Sequence, residues 1–242
     1  MKKLVCAIFA SSVFAAGAVP AAAADLPLKE PLYTIYDWTG FYGGAHLGYA
    51  FGTASDSTVA PPGVPFSTQA VNLTGVAFGA DIGYNFQLSP WFVLGLESDI
   101  SITGITGSAI SANAAGVAAI TDTETNQWYG STRGRFGVAP AWGWLLYATG
   151  GVAYTTVRSD ETFQTSTFTS SFFTPRLGWT AGAGLEAAFD RRWPNWTARL
   201  EYLYSDYGTF SRTYTGIAGF TPATLTSHFF ENVVRIGMNY RF

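Results

Sequence analysis

Charge is scarce in this chain, and so are cysteine, histidine and methionine: 242 residues hold one Cys, two His and two Met. Each shortage excludes something. Charged residues make up 12% of the sequence, about half the share of an average soluble domain. With 48% hydrophobic and 17% aromatic residues, the chain is too apolar for a disordered or acidic solvating segment. A formal net charge of −3 argues against general affinity for nucleic acid. The single Cys6 excludes a disulfide framework and a thiolate metal cluster. What is abundant is Gly (27), Phe (19), Tyr (13) and Trp (8).

Met1-Lys2-Lys3 is a short positive start, Leu4 to Val19 is an apolar and small-residue run, and Pro20 to Ala24 supplies small residues at a cleavage point. This is the secretory signal pattern, so residues 1–24 are expected to be a removed leader. A cysteine-free chain delivered outside the cytoplasm suits an oxidising compartment. Residues 25–37, with two prolines (Pro27 and Pro31), read as an extended periplasmic tail before a domain spanning 38–242.

From Trp38 onward the pattern has period two. In 77–88 one phase is Phe78, Ala80, Ile82, Tyr84, Phe86, Leu88, and the other is Ala77, Gly79, Asp81, Gly83, Asn85, Gln87. Such alternation means strands with one apolar and one polar or small face. Eight strands are expected, at 40–52, 75–88, 91–104, 126–139, 144–157, 176–189, 196–208 and 228–242. Short connections alternate with long ones at 53–74, 105–125, 158–175 and 209–227, the latter rich in Ser, Thr, Ala and Gly. An even strand count with short turns on one side and long loops on the other is the arrangement of outer-membrane barrels. The fold class is therefore all-β, an eight-stranded antiparallel up-and-down transmembrane barrel. Residues 136–157 carry no charge and mimic a membrane helix, but Pro140, Gly143, Gly150 and Gly151 interrupt them.

The large apolar phase should face lipid, because a lumen of eight strands is narrow and is filled by side chains. Six tryptophans (Trp38, Trp91, Trp142, Trp144, Trp193, Trp196) fall at the short-turn ends, as in an interfacial girdle. Tyr49, Trp128, Tyr154, Trp179 and Tyr204 would form the opposite girdle.

The lumen phase carries a band of charge: Asp81, Glu97, Asp99, Arg133, Arg135, Glu186, Arg199, Glu201 and Arg235, with His46 at the same level and Glu231 higher. Adjacent strands bring Glu97 and Asp99 toward Arg133 and Arg135, Glu186 toward Arg199, and Glu201 toward Arg235. Charges withdrawn from water need partners, and guanidinium forks match carboxylates. The band is either a salt-bridge network that closes the lumen or a constricted polar pore for small solutes. Catalysis has little to stand on. His228 and Asp206 could meet near the long-loop end, but no nucleophile accompanies them. No converging His, Cys or Met set suggests a metal or haem, and no cofactor is expected.

The resemblance becomes specific at both ends. Asp25-Leu26-Pro27 with Lys29, then Tyr36-Asp37-Trp38-Thr39-Gly40-Phe41-Tyr42-Gly43-Gly44 and Leu47-Gly48-Tyr49, resembles the opening of the small outer-membrane surface antigens of rhizobia and related alphaproteobacteria, within the OmpA-like barrel superfamily. Gly237, Tyr240 and Phe242 are similar to the signal that barrel-assembly machinery reads. The resemblance implies an outer-membrane barrel, not an enzyme, set among outer-membrane lipid and lipopolysaccharide. Its role would be structural, with loops offered to host or environmental ligands. Some relatives are described as porin-like or haem-binding, although no ligand residues carry over here.

Overall fold

The computed structural model describes residues 36–60, 64–112, 118–140, 143–163, 169–190, 192–214 and 223–242. The expected leader, most of the expected tail and Trp142 lie outside them. Eight strands, β1 (Gly40–Ala60), β2 (Val64–Gln87), β3 (Phe92–Ala112), β4 (Ala118–Val138), β5 (Trp144–Phe163), β6 (Thr169–Ala188), β7 (Trp196–Tyr214) and β8 (Ala223–Arg241), close antiparallel into one barrel in sequence order. Among the described residues no helix is long and apolar enough to cross a membrane, and 144–157 is strand.

The register sets the shape. Stepping around the wall from Gly43 to Ile82, Ser98, Thr132, Val152, Trp179, Asp206 and Phe230 returns to β1 at Thr53, ten residues further on. A ten-residue stagger over eight strands requires a strand tilt of about 40°. The outward phase then forms an apolar belt, from Phe41 to Phe51 on β1 and from Phe92 to Ile102 on β3. Its height of 11 residues per strand is what a tilted strand needs to cross a bilayer. Exposed Trp91, Trp144, Trp193 and Phe242 rim the lower edge. Along the upper edge Trp128 approaches Tyr154 and Trp179 approaches Tyr204, with ring centroids 6.3 and 5.4 Å apart.

Two expectations are corrected. The four long connections are mostly strand. Each hairpin continues well above the belt, so that β1 runs to Ala60 and β2 starts at Val64. There both faces carry Ser and Thr, and backbone pairing persists without apolar alternation. Above the belt the wall separates into two four-stranded sheets, β7-β8-β1-β2 and β3-β4-β5-β6. The β2–β3 ladder stops at Thr74–Thr106, and the β6–β7 ladder stops at Trp179–Asp206.

Trp38 is the second correction. It is not in the girdle but 3% exposed, packed in the lower mouth against Val93, Ala139, Leu145 and Tyr147. Gln87 Oε1 accepts its backbone N–H at 2.9 Å, and the Tyr36 ring lies 4.7 Å from the indole. Residues 36–39, just before β1, fold under the barrel, where a large ring is removed from water.

Candidate functional site: the lumen

Inward side chains stack in layers above Trp38. The first is the charge network. Glu97 and Asp99 alternate on β3, Arg133 and Arg135 on β4, Arg199 and Glu201 on β7; Asp81, Glu186 and Arg235 come from β2, β6 and β8. All are buried. Arg133 is held by three carboxylates: Nη2 donates to Glu97 Oε1 at 2.5 Å and Asp99 Oδ1 at 3.0 Å, and Nη1 to Glu201 Oε1 at 3.1 Å. Arg235 bridges Glu201 at 2.6 Å and Asp99 at 3.1 Å. Glu97 is the centre, reached also by Arg199 at 2.7 Å, Arg235 at 3.5 Å and Arg135 at 3.6 Å.

The neighbour-strand pairs Glu97/Asp99–Arg133 and Glu201–Arg235 are present. Glu186–Arg199 is not made, although these residues face each other in the ladder. Glu186 instead accepts from Arg135 Nη2 across the lumen at 2.7 Å, while Arg199 turns to Asp81 at 2.8 Å and Glu97. In a closed barrel every inward side chain points toward the axis, so partners several strands away come within reach. Glu231 also departs from the band. Its bonds are with Tyr207 Oη at 2.9 Å and Asn126 Nδ2 at 3.5 Å, above the network. His46 sits inside the network, with Nε2 2.8 Å from Ser101 Oγ and Nδ1 3.4 Å from Asp81.

Two tyrosines complete the network. Tyr42 Oη donates to Glu97 at 2.7 Å and Tyr147 Oη to Glu201 at 3.2 Å, with the Arg135 guanidinium 3.9 Å above the Tyr147 ring. Each ring lies on a glycine. A Cβ at Gly83 or Gly184 would come within 2.4 Å of Tyr42 or Tyr147, so these strand glycines make the space. Single-strand periodicity shows a small residue there but not the ring that covers it.

Above the charges lies an apolar layer that includes Leu73, Ala77, Ile105, Tyr129, Val157, Leu203, Tyr207, Phe229 and Val233. Higher still, beyond the belt, Asp56, Glu124 and Arg176 are buried together. Burial pushes the Glu124 carboxyl up to about 7, with the Asp56 charge adding to it, and raises Asp56 as well. The folded barrel thus binds protons here that the unfolded chain has released. Its stability is expected to fall as pH rises from about 4.5 to about 7 and to flatten above that. Thermal unfolding across this range should show the decline, and Glu124→Gln should make it shallower; an equal decline in the variant would remove Glu124 as one of its sources.

At the outer rim His228 Nε2 lies 3.2 Å from Asp206 Oδ1. The described residues contain no group of three or more His, Cys, Asp or Glu placed to hold a metal.

A closed eight-stranded wall with an apolar belt, two aromatic edges and charges turned inward is a membrane barrel, and comparison with known proteins gives its family. The outer membrane protein beta-barrel domain profile matches residues 9–242. The chain belongs to that family. The 31 kDa outer-membrane immunogenic protein of Brucella melitensis is 34% identical to it, over 98% of this chain and 97% of that protein. The 25 kDa outer-membrane immunogenic protein of Brucella abortus is 29% identical over 97% and 92%. The 22 kDa outer membrane protein of Rhizobium leguminosarum bv. viciae is 34% identical over 68% and 66%. Among solved structures, the outer membrane protein OprG from Pseudomonas aeruginosa superposes with a TM-score of 0.56 over 86% of this chain and 98% of that one, at 14% identity. The expected relation to alphaproteobacterial surface antigens holds, and this beta-barrel domain protein resides in the outer membrane. Gly237 and Tyr240 lie at the lower end of β8, and Phe242 follows it. Tyr240 packs edge-on against Trp196 and Phe242, and Phe242 is 81% exposed.

Proposed function

We propose that the barrel is a structural and surface-presenting component of the outer membrane, not a channel and not an enzyme, and that its lumen is sealed. The observation that carries this reading is the stack inside the wall: Trp38, then the guanidinium–carboxylate network, then the apolar layer. In planar bilayers the wild-type protein is expected to give no unitary conductance, whereas Arg133→Ala combined with Glu97→Ala, which empties the centre of the network, should give steps. Stable steps from the wild-type protein would establish a small porin instead.

On the same reading residues 1–24 are a cleaved leader, and residues 25–37 are a periplasmic N-terminal tail. Lipid and lipopolysaccharide surround the belt, and the hairpin tips meet host or environmental ligands, as the immunogenic relatives suggest. The assembly machinery would read Gly237 and Tyr240 on β8 together with Phe242 just after it. Phe242→Ala should then lower the amount of assembled barrel several-fold without changing the heat stability of the barrel that does assemble. Wild-type amounts in the outer membrane would remove that role.

A further inference from the structure

The two seams that stop above the belt are unlike. At β2–β3 the backbones remain in touch: a Cβ on Gly107 would meet the Asn72 carbonyl at 2.2 Å. At β6–β7 they part. β7 is irregular between Asp206 and Thr209, Gly208 adopts φ +68°, and nothing lies within 4 Å of the Cβ it would carry. Opposite, β6 contains Pro175, which has no N–H for a ladder and is tolerated on a strand edge. Positive φ is glycine territory, so both breaks are written into the sequence. A groove of about 520 Å³ opens on the outer face at this point, lined by Val152, Leu177, Trp179, Gly208 and the Asp206–His228 pair.

Side chains span the seam where the ladder is missing. The Arg212 guanidinium stacks 3.4 Å from the Phe172 ring, and Arg176 lies 5.9 Å from Phe210. Parting them breaks no backbone hydrogen bond. Arg176 is 7% exposed and passes behind β7, where Nη2 donates to Ser227 Oγ of β8 at 3.1 Å. Its Nε and Nη1 have no hydrogen-bond partner, and buried donors of this kind are costly unless an acceptor meets them. Outside, Phe173, Leu177 and Trp179 carry the apolar surface of β6 above the belt, where β1 has Thr53 and Ser55 and β3 has Thr106 and Ser108.

An apolar lip with a buried guanidinium behind it is complementary to an amphiphile with an anionic head. The fields of Asp56 and Glu124 already reach Arg176, so a dianionic head would be repelled more strongly than a single carboxylate, whose oxygens can meet an unpaired donor of Arg176. We propose that the β6–β7 seam is a lateral slot for a single-chain carboxylate amphiphile, its carboxylate on Arg176 and its chain leaving past Leu177 and Trp179 into the outer leaflet. The slot lies above the charge network and the apolar layer. It requires no passage through the barrel and stands whether or not the lumen conducts.

The test is equilibrium binding of palmitate to the protein in phosphatidylcholine nanodiscs, with empty discs subtracted. Saturable binding of one palmitate per barrel is expected, weakened at least tenfold by Arg176→Gln and partly restored by Arg176→Lys, with heat-shifted gel mobility confirming intact barrels. Leu177→Asp, on the exposed lip, should weaken binding without touching the guanidinium, and decides the matter if Arg176→Gln does not assemble. Absence of saturable binding, equal affinity in these variants, or equal competition by methyl palmitate would each overturn the proposal.

Discussion

Replacing Arg133 by methionine is expected to lower the unfolding free energy by about 3–5 kcal/mol, the usual cost of removing one partner from a buried ion pair. Arg133 is fully buried and is the shared partner of Glu97, Asp99 and Glu201. Methionine retains much of the packing volume, so the cost reports on carboxylates left without their cation. Five network carboxylates (Asp81, Glu97, Asp99, Glu186, Glu201) would then share the three guanidiniums of Arg135, Arg199 and Arg235. Urea unfolding in lipid vesicles, followed by the gel-mobility shift, measures it. The double variant Arg133→Met/Glu97→Gln should cost less than the two single changes combined, because each removes part of what the other leaves unpaired. A single-variant loss under about 1 kcal/mol would show that the pairs contribute little beyond filling space.

That sensitivity follows from an arrangement only partly legible in the sequence. Strand number and membrane-facing phase were readable because Phe78, Ile82 and Phe86 alternate with Gly79, Gly83 and Gln87, and only lipid makes the large phase the outer one. The neighbouring-strand pairs Glu97/Asp99–Arg133 and Glu201–Arg235 were readable for the same reason, since short turns fix which residues lie opposite, whereas Glu186 and Arg199 lie opposite without pairing. Arg135–Glu186 and Arg199–Asp81 were not readable, because they span the lumen and depend on closure and stagger. Trp38 misled because a tryptophan at a strand end suits either an interface or a mouth, and only the preceding chain's path decides. The strand extensions escaped because alternation reports a difference between faces, and above the belt Thr53, Ser55 and Ser57 meet no lipid to create one. The β6–β7 seam was present as Pro175 and Gly208, two local signals whose meaning required knowing that their strands are neighbours in the wall.

Moving a single arginine along one strand tests the membrane boundary. Leu96 is at mid-belt on β3, 60% exposed, with its neighbour Glu97 turned into the network. Leu96→Arg is expected to destabilise the barrel by about 2–4 kcal/mol, the cost of arginine on the lipid face near the midplane. Ser108, exposed on the same strand and face, lies six residues above Ile102, the last belt residue. At about 3.4 Å per residue along a tilted strand, that puts it clear of the hydrocarbon. Ser108→Arg should therefore change stability by less than about 1 kcal/mol. Vesicle unfolding measured on both variants separates lipid from water as the solvent of the outer phase. Equal, small effects at the two sites would mean that Leu96 faces water; equal, large ones would mean that the belt reaches far higher than Ile102. The contrast depends only on depth, because both substitutions place the same side chain on the same face of one strand.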